Sequence, residues 1–201
     1  LLDIPWKKET KDNNDLKKVR KNLDESHYGI DKVKTRIIEF LAVKQMTQEL
    51  RGPIICLVGP PGVGKTTLAL NMFTHQVFNG IKAVYFSLEM PKSAVIQKML
   101  SIKGKISTGT MRQRNFTEEE VLRISSITGY LADKKFNIFD KNSKITYITS
   151  KIREEHIKGK CEIAYVDLIN RVTTNKRTGS RAEEVGTITR ELKQLAMELE
   201  I

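Results

Sequence analysis

One stretch constrains this chain more than any other: residues 59–66, GPPGVGKT, set between the apolar run IICLVG and the helix-patterned KTTLALNMFTHQVFNG. The spacing is G-x-x-x-x-G-K-[ST], and a strand before it with a helix after it is the context in which that spacing binds phosphate. Glycine lets the backbone turn tightly around a ligand, and the N–H groups that open the next helix face its negative charge. Gly59, Pro60, Pro61, Gly62, Val63, Gly64, Lys65, Thr66 and Thr67 are therefore read as a nucleotide-binding loop. In such a loop Lys65 reaches the β- and γ-phosphates of ATP, and the Thr66 hydroxyl binds Mg2+.

Around that loop, helical and strand patterns alternate. Leu16, Val19 and Leu23 predict a short amphipathic helix; Val33, Ile37, Ile38, Leu41 and Met46 predict a longer one, with Asp31 as its cap. IICLVG has the continuous apolar character of a strand buried on both faces. After the loop come a helix closed by Gly80, the strand KAVYFSLEM, and a helix with Pro91 in its first turn. A helix capped by Thr117, with Glu120 completing a capping box, follows. Then come the strand FNIFD, the helix ITYITSKIREEHIKG, the buried strand CEIAYVDLI, the polar segment NRVTTNKRTGSR and a last helix. In that helix Val185, Ile188, Leu192, Leu195 and Leu199 form one stripe. Strands alternating with helices imply an α/β fold: a mostly parallel sheet with helices on both faces.

Composition narrows the functional classes. Cys56 and Cys161 each sit in an apolar run and read as buried hydrophobes, without disulfide or metal spacing. The sequence has no stretch of 18 apolar residues, so no membrane span is expected, and its first residues lack the order of a signal peptide, which points to the cytoplasm. The formal net charge of +11 suits a polyanionic partner such as nucleic acid.

Three further features carry chemistry. Asp167 ends the strand CEIAYVD, where a carboxylate either holds Mg2+ through water or starts a turn. Glu89 ends VYFSLEM, where it either polarises an attacking water or serves as an acid at the start of a helix. Arg171, Lys176, Arg177 and Arg181 lie in a segment without acidic residues, which is either a contact for a phosphate backbone or a solvated loop. His27, His75 and His156 show neither metal nor triad spacing, and no nucleophile for peptide hydrolysis stands out.

Residues 3–66, from DIPWKKETKDNNDLKKVRKNLDESHYGIDKVKTRIIEFLAVKQMTQELRG into PIICLVGPPGVGKT, resemble the entry to the AAA+ ATPase module of Lon proteases. That resemblance implies that His27, Tyr28 and Gly29 lie against the adenine. From residue 67 the pieces TLALNM, VYFSLEMP, RQRNFTEEE, FNIFD, IAYVDLIN and EEVGTITRELKQLAMELEI resemble the RecA-type ATPase domain of DnaB-type replicative helicases, in a phage-like form. There the glutamate of SLEM activates water, which implies that role for Glu89; Asp167 falls on the Walker B aspartate, and Asn170 stands where glutamine is usual. The segment from Arg171 to Arg181 falls near the central channel of such hexameric rings, which implies contact with single-stranded DNA.

The two resemblances divide the chain into a Lon-like helical leader, residues 1–52, and a P-loop NTPase core, residues 53–201. Their meeting at the loop implies a chimera, engineered or a natural mosaic. Both families place a further strand between the loop strand and the Asp167 strand, so the fold is expected to be cut short before it. The sensor and arginine finger would be missing with it, so ATP should bind and turn over slowly. The expectation is thus the ATP- and Mg2+-binding core of a ring-forming DNA helicase. The alternatives are a Lon-like protein-unfolding ATPase and a nucleotide-binding chimera without a biological task.

Overall fold

Valine, tyrosine and phenylalanine crowd the stretch AVYFS, and such a run folds as a strand when both of its faces can be covered. In the computed structural model, which describes residues 15–26, 29, 31–47, 56–59, 62, 64–174 and 179–201, that stretch is strand β1 (Ala83–Ser87). All five of its residues are buried. Among the described residues β1 is the middle of a three-stranded parallel sheet, flanked by β2 (Phe136–Phe139) and β3 (Ile163–Asp167). The register sets Ala83 against Phe136 and Ile163, and Ser87 against Asp167.

Alternation along β1 divides the core in two. Ala83 and Tyr85 face helices α3 (Lys65–Phe78), α4 (Lys92–Gly104) and α6 (Glu118–Ala132), where Leu70, Phe73, Val77, Val95, Met99 and Leu131 are buried. Val84 and Phe86 face α7 (Ile145–Ile157) and α8 (Arg181–Leu199), where Ile145, Ile148, Ile152, Ile188 and Leu195 are buried. Full burial of an aliphatic or aromatic side chain contributes about 1.5–3 kcal/mol, so two covered faces are what hold the layers together. Phe73 is the centre of the first core: its ring lies 5.1 Å from that of Tyr85 and 5.6 Å from that of Tyr165.

The helix ends follow local chemistry. The Thr117 hydroxyl accepts from the Glu120 N–H while the Glu120 carboxylate accepts from the Thr117 N–H, the reciprocal box expected from the sequence. Gly80, at φ +84°, follows the end of α3 and its N–H donates to Val77 at 3.1 Å. Pro91 stands in extended conformation one residue before α4, and α5 (Thr108–Gln113) is a short addition capped by Ser107.

The strand expected from IICLVG is not formed in its described part. Cys56 to Gly59 carry no strand, Cys56 is exposed, and Val58 is 91% exposed. An apolar run becomes a strand only beside a partner with free N–H and C=O groups; among the described residues none pairs with this segment. Cys161, by contrast, is buried just before β3, and burial, then the charges of Glu155 and Glu162, push its thiol up to about 12.

The chain divides into two units, Leu1–Leu50 and Arg51–Ile201; the sheet belongs to the second. In the first, α1 (Leu16–Ser26) and α2 (Asp31–Thr47) are joined by Lys34, whose buried Nζ donates to Asp24 Oδ1 at 2.9 Å. That bond, with help from Arg20, holds the Asp24 carboxyl below its ordinary range. Asp31 is the first residue inside α2 and not its cap, so its charge acts on the helix dipole.

Candidate nucleotide site

A helix that begins straight after a left-handed glycine presents its first N–H groups outward, with no side chain in front of them. Gly64, at φ +86°, is that residue before α3, and Gly62 two positions earlier stands at φ +84°. Open space surrounds both, so it is backbone conformation and not crowding that favours glycine there. Lys65 opens the helix, and its Nζ donates to the Gly59 carbonyl at 2.6 Å, linking the two sides of the loop. Thr66 is half-buried and Thr67 exposed on the first turn.

β3 delivers Asp167 to the same place. The carboxylate is 7% exposed and both of its oxygens accept: Oδ1 from the Thr66 hydroxyl at 3.1 Å, Oδ2 from the Tyr85 hydroxyl at 2.8 Å. Burial first, then the Asp167 charge, pushes the Tyr85 phenol far above its ordinary range, so Tyr85 is a fixed donor. The Leu88 N–H donates to the Asp167 carbonyl at 2.7 Å, which ties the end of β1 to the end of β3. Glu89 follows directly; its side chain is exposed and, among the described residues, held by no hydrogen bond or ion pair. The Ser87 hydroxyl donates to the Met90 carbonyl at 2.7 Å and turns the chain away beyond it.

A hydroxyl and a carboxylate are the hard oxygen donors that Mg2+ takes, in sites where phosphate and water fill the other positions. Among the described residues there is no cluster of three His, Cys, Asp or Glu side chains that could form an all-protein cage. The donor set at Thr66 and Asp167 fits Mg2+ in its chemistry.

The basic segment after β3 is fastened at both ends. Arg171 is exposed in a short 3-10 turn, Ile169–Arg171, reached across a cis Asp167–Leu168 peptide. The Thr173 N–H donates to the Ser143 carbonyl and the Ile145 N–H to the Thr173 carbonyl, each at 2.9 Å. Arg181, at the start of α8, donates to the carbonyls of Asn170 at 2.6 Å and Val172 at 3.0 Å and pairs with Glu184. The Glu184 carboxylate accepts from the Thr174 N–H at 3.0 Å, and that bond, followed by Arg181, lowers its proton affinity. Arg181 thus shapes the base of the loop, whereas Arg171 faces solvent.

Thr66 and Asp167 are hydrogen-bonded, Lys65 precedes Thr66 at the start of α3, and Glu89 lies at the same end of the sheet, one residue after the Leu88 N–H that donates to Asp167. Gly29 stands at φ +69° in the first unit. His27, Tyr28, Pro60, Pro61, Val63, Lys176 and Arg177 lie outside the described residues. Sequence reasoning missed Tyr85, whose signal was a phenol inside an otherwise apolar strand; a buried tyrosine hydroxyl usually has a partner. It also missed the clamp made by Arg181 and Glu184. Elsewhere, Phe78 and Tyr130 stack at 5.1 Å, with the Lys103 ammonium 4.5 Å from the Phe78 ring centre and the Lys134 ammonium 4.1 Å from that of Tyr130.

The sequence pattern of the DnaB-like helicase C-terminal domain matches residues 33–201. That match begins upstream of the loop, whereas the helicase-like sequence pieces begin at residue 67. A Lon protease of Clostridium acetobutylicum is 61% identical over 69 residues, which make up 34% of this chain and 9% of that protein. A Lon protease of Ureaplasma parvum is 58% identical over 72 residues, 36% of this chain and 9% of that protein. The chain thus spans about a tenth of the length of these Lon relatives. Among solved structures, a DnaB-like replicative helicase studied with primase superposes with a TM-score of 0.64 at 29% identity, over 70% of this chain and 35% of that one. A second solved structure, an isolated ATPase domain, superposes with a TM-score of 0.70 at 25% identity, over 87% of this chain and 69% of that one.

Proposed function

The chain belongs to the DnaB-like helicase C-terminal domain family, and from that premise we propose that it is the ATP-binding core of a DNA helicase of this type, joined to a Lon-like AAA+ leader as an engineered or mosaic chimera. The observation that carries the proposal is the 3.1 Å contact between the Thr66 hydroxyl and Asp167, which joins the phosphate-binding loop to the far strand of the sheet. Thr66 would hold Mg2+ directly and Asp167 through water, and the ion would neutralise charge on the β- and γ-phosphates. Lys65 leaves the Gly59 carbonyl to meet those phosphates, and the helix start supplies N–H groups to them. Glu89 accepts the proton of the attacking water. Its exposed, unanchored carboxylate supports slow turnover by this chain.

Single-stranded DNA is the proposed partner of Arg171, Lys176 and Arg177, with Arg181 holding the base of their loop. A homo-oligomeric ring, hexameric as in the helicase family, and residence in the cytoplasm belong to the same proposal; no described helix is long and apolar enough to cross a membrane. His27, Tyr28 and Gly29 are proposed to lie against the adenine.

The test is binding and hydrolysis of ATP with and without single-stranded DNA. Mg2+-dependent binding with slow, DNA-responsive turnover is expected; rapid DNA-stimulated hydrolysis would overturn the slow-turnover part. The 61% identity to a Lon protease favours one second reading, a protein-unfolding ATPase module. Stimulation by an unfolded polypeptide and not by DNA would select it, and binding without stimulation by either would leave a nucleotide-binding chimera.

A further inference from the structure

We infer that Tyr85 is a positioning residue for Mg2+-dependent nucleotide binding, its hydroxyl holding the Asp167 carboxylate in the orientation that the bound state requires. The inference rests on the nucleotide-site reading and adds a residue that no part of that reading used. Asp167 has two anchors, one on each oxygen: Thr66 at 3.1 Å and Tyr85 at 2.8 Å. They are not equivalent. The Thr66 hydroxyl is itself the candidate metal ligand: a lone pair can meet the ion while its proton stays on Oδ1, so its position answers to the ion as well as to Asp167. Tyr85 is the anchor whose position the core alone sets. With Oδ2 held, Oδ1 keeps its direction toward the loop; without that bond the carboxylate can turn about the single anchor that remains.

Packing makes Tyr85 suited to this. Its ring is fully buried in the middle strand, 5.1 Å from Phe73 of α3 and 5.8 Å from the near-parallel Tyr165 of β3. Those contacts fix the ring, and the ring fixes the hydroxyl. Phenylalanine would fill the same core equally well, so the oxygen atom adds nothing to packing. Its hydrogen bond is to Asp167. Groups that orient a metal-holding side chain from behind typically change metal affinity by about 10- to 100-fold when removed.

The experiment titrates the full 201-residue chain and its Tyr85→Phe variant with fluorescent mant-ADP, in Mg2+ and again in EDTA. The expected result is about a tenfold loss of affinity in Mg2+ and no loss in EDTA, with no further effect of Tyr85→Phe once Asp167→Asn is present. Equal loss in Mg2+ and EDTA, or no loss in either, overturns the inference while leaving the nucleotide site standing. Failure of the unaltered chain to bind mant-ADP in Mg2+ overturns the nucleotide-site reading, and this inference with it. A measurement on the unaltered chain covers the case of a variant that does not fold. The buried Tyr85 hydroxyl proton, followed by NMR, is expected to stay protected when Mg2+ and ADP are added, and its loss from protection would overturn the inference.

Discussion

The Thr66 hydroxyl donates to Asp167 across 3.1 Å although 101 positions separate them in the chain. One partner opens the helix after the loop and the other closes the third strand, so the contact exists only when the sheet and α3 have already packed. Chemistry at this site is therefore conditional on the fold.

Lys65→Ala is expected to abolish nucleotide binding, because no other side chain on the first turn of α3 carries positive charge to the phosphates. Glu89→Gln is expected to keep binding and remove turnover, since the amide cannot take a proton from water. Mant-ADP titration and a phosphate-release assay measure the two; equal turnover in Glu89→Gln and the unaltered chain would remove Glu89 from the mechanism.

The two ends of the basic segment should respond differently to alanine. Arg171→Ala is expected to weaken single-stranded DNA binding and lower its salt slope by about 0.7, the share of one phosphate on a single strand. Arg181→Ala should instead free the carbonyls of Asn170 and Val172 and release Glu184, so the Thr174 N–H exchanges faster. Hydrogen exchange without DNA tells them apart, and unchanged exchange in Arg181→Ala would sink the clamp.

What the sequence displayed was mostly local. Thr117 and Glu120 are three residues apart and form their box by themselves, and the stripe of Ile188, Leu192 and Leu195 on α8 needed only helical spacing. In the site, Lys65, Thr66 and Asp167 were recognisable as residue types in order. Tyr85 was not, because a hydrophobic pattern treats tyrosine as one more apolar residue and says nothing of where its oxygen points. Nor was the use of Arg181, whose partners Asn170 and Val172 accept through backbone carbonyls that no side-chain pattern announces. The strand expected from IICLVG failed in its described part for a similar reason: apolar content does not reveal whether a neighbouring strand is on offer.

Thr74 lies on α3 at 1% exposure, and its hydroxyl has no hydrogen-bond partner among the described residues. A buried donor in that state costs about 1–3 kcal/mol. Thr74→Val keeps the shape and removes the hydroxyl, so it should stabilise the chain by about 1 kcal/mol in urea unfolding. A loss of stability would mean that the hydroxyl has a partner in solution.

Glu154 on α7 accepts from Lys151 and Lys158, each at 2.5 Å, and these bonds take its carboxyl down to about 2 from the 4.5 of an ordinary glutamate. A depressed folded value means that the stabilisation is complete above about pH 4.5 and is lost as pH falls toward 2. Because the pair is open to solvent, salt should weaken it. An NMR titration of the Glu154 carboxyl carbon is expected to show a midpoint near 2; a midpoint at the ordinary 4.5 would show that the lysines do not hold it.

All the strands described for this chain lie between Ala83 and Asp167, downstream of the loop where the two resemblances meet. A crossover at that loop would exchange the leader and leave the three strands, with their register and both core faces, inherited whole from one parent. Recombination there cannot put a Val84 from one lineage against an Ile148 from another, which is the usual way a spliced core fails. A crossover at the loop would thus be one that a sheet of this order survives, and exchanges there would change what precedes residue 59 while Asp167 and its neighbours descend unbroken.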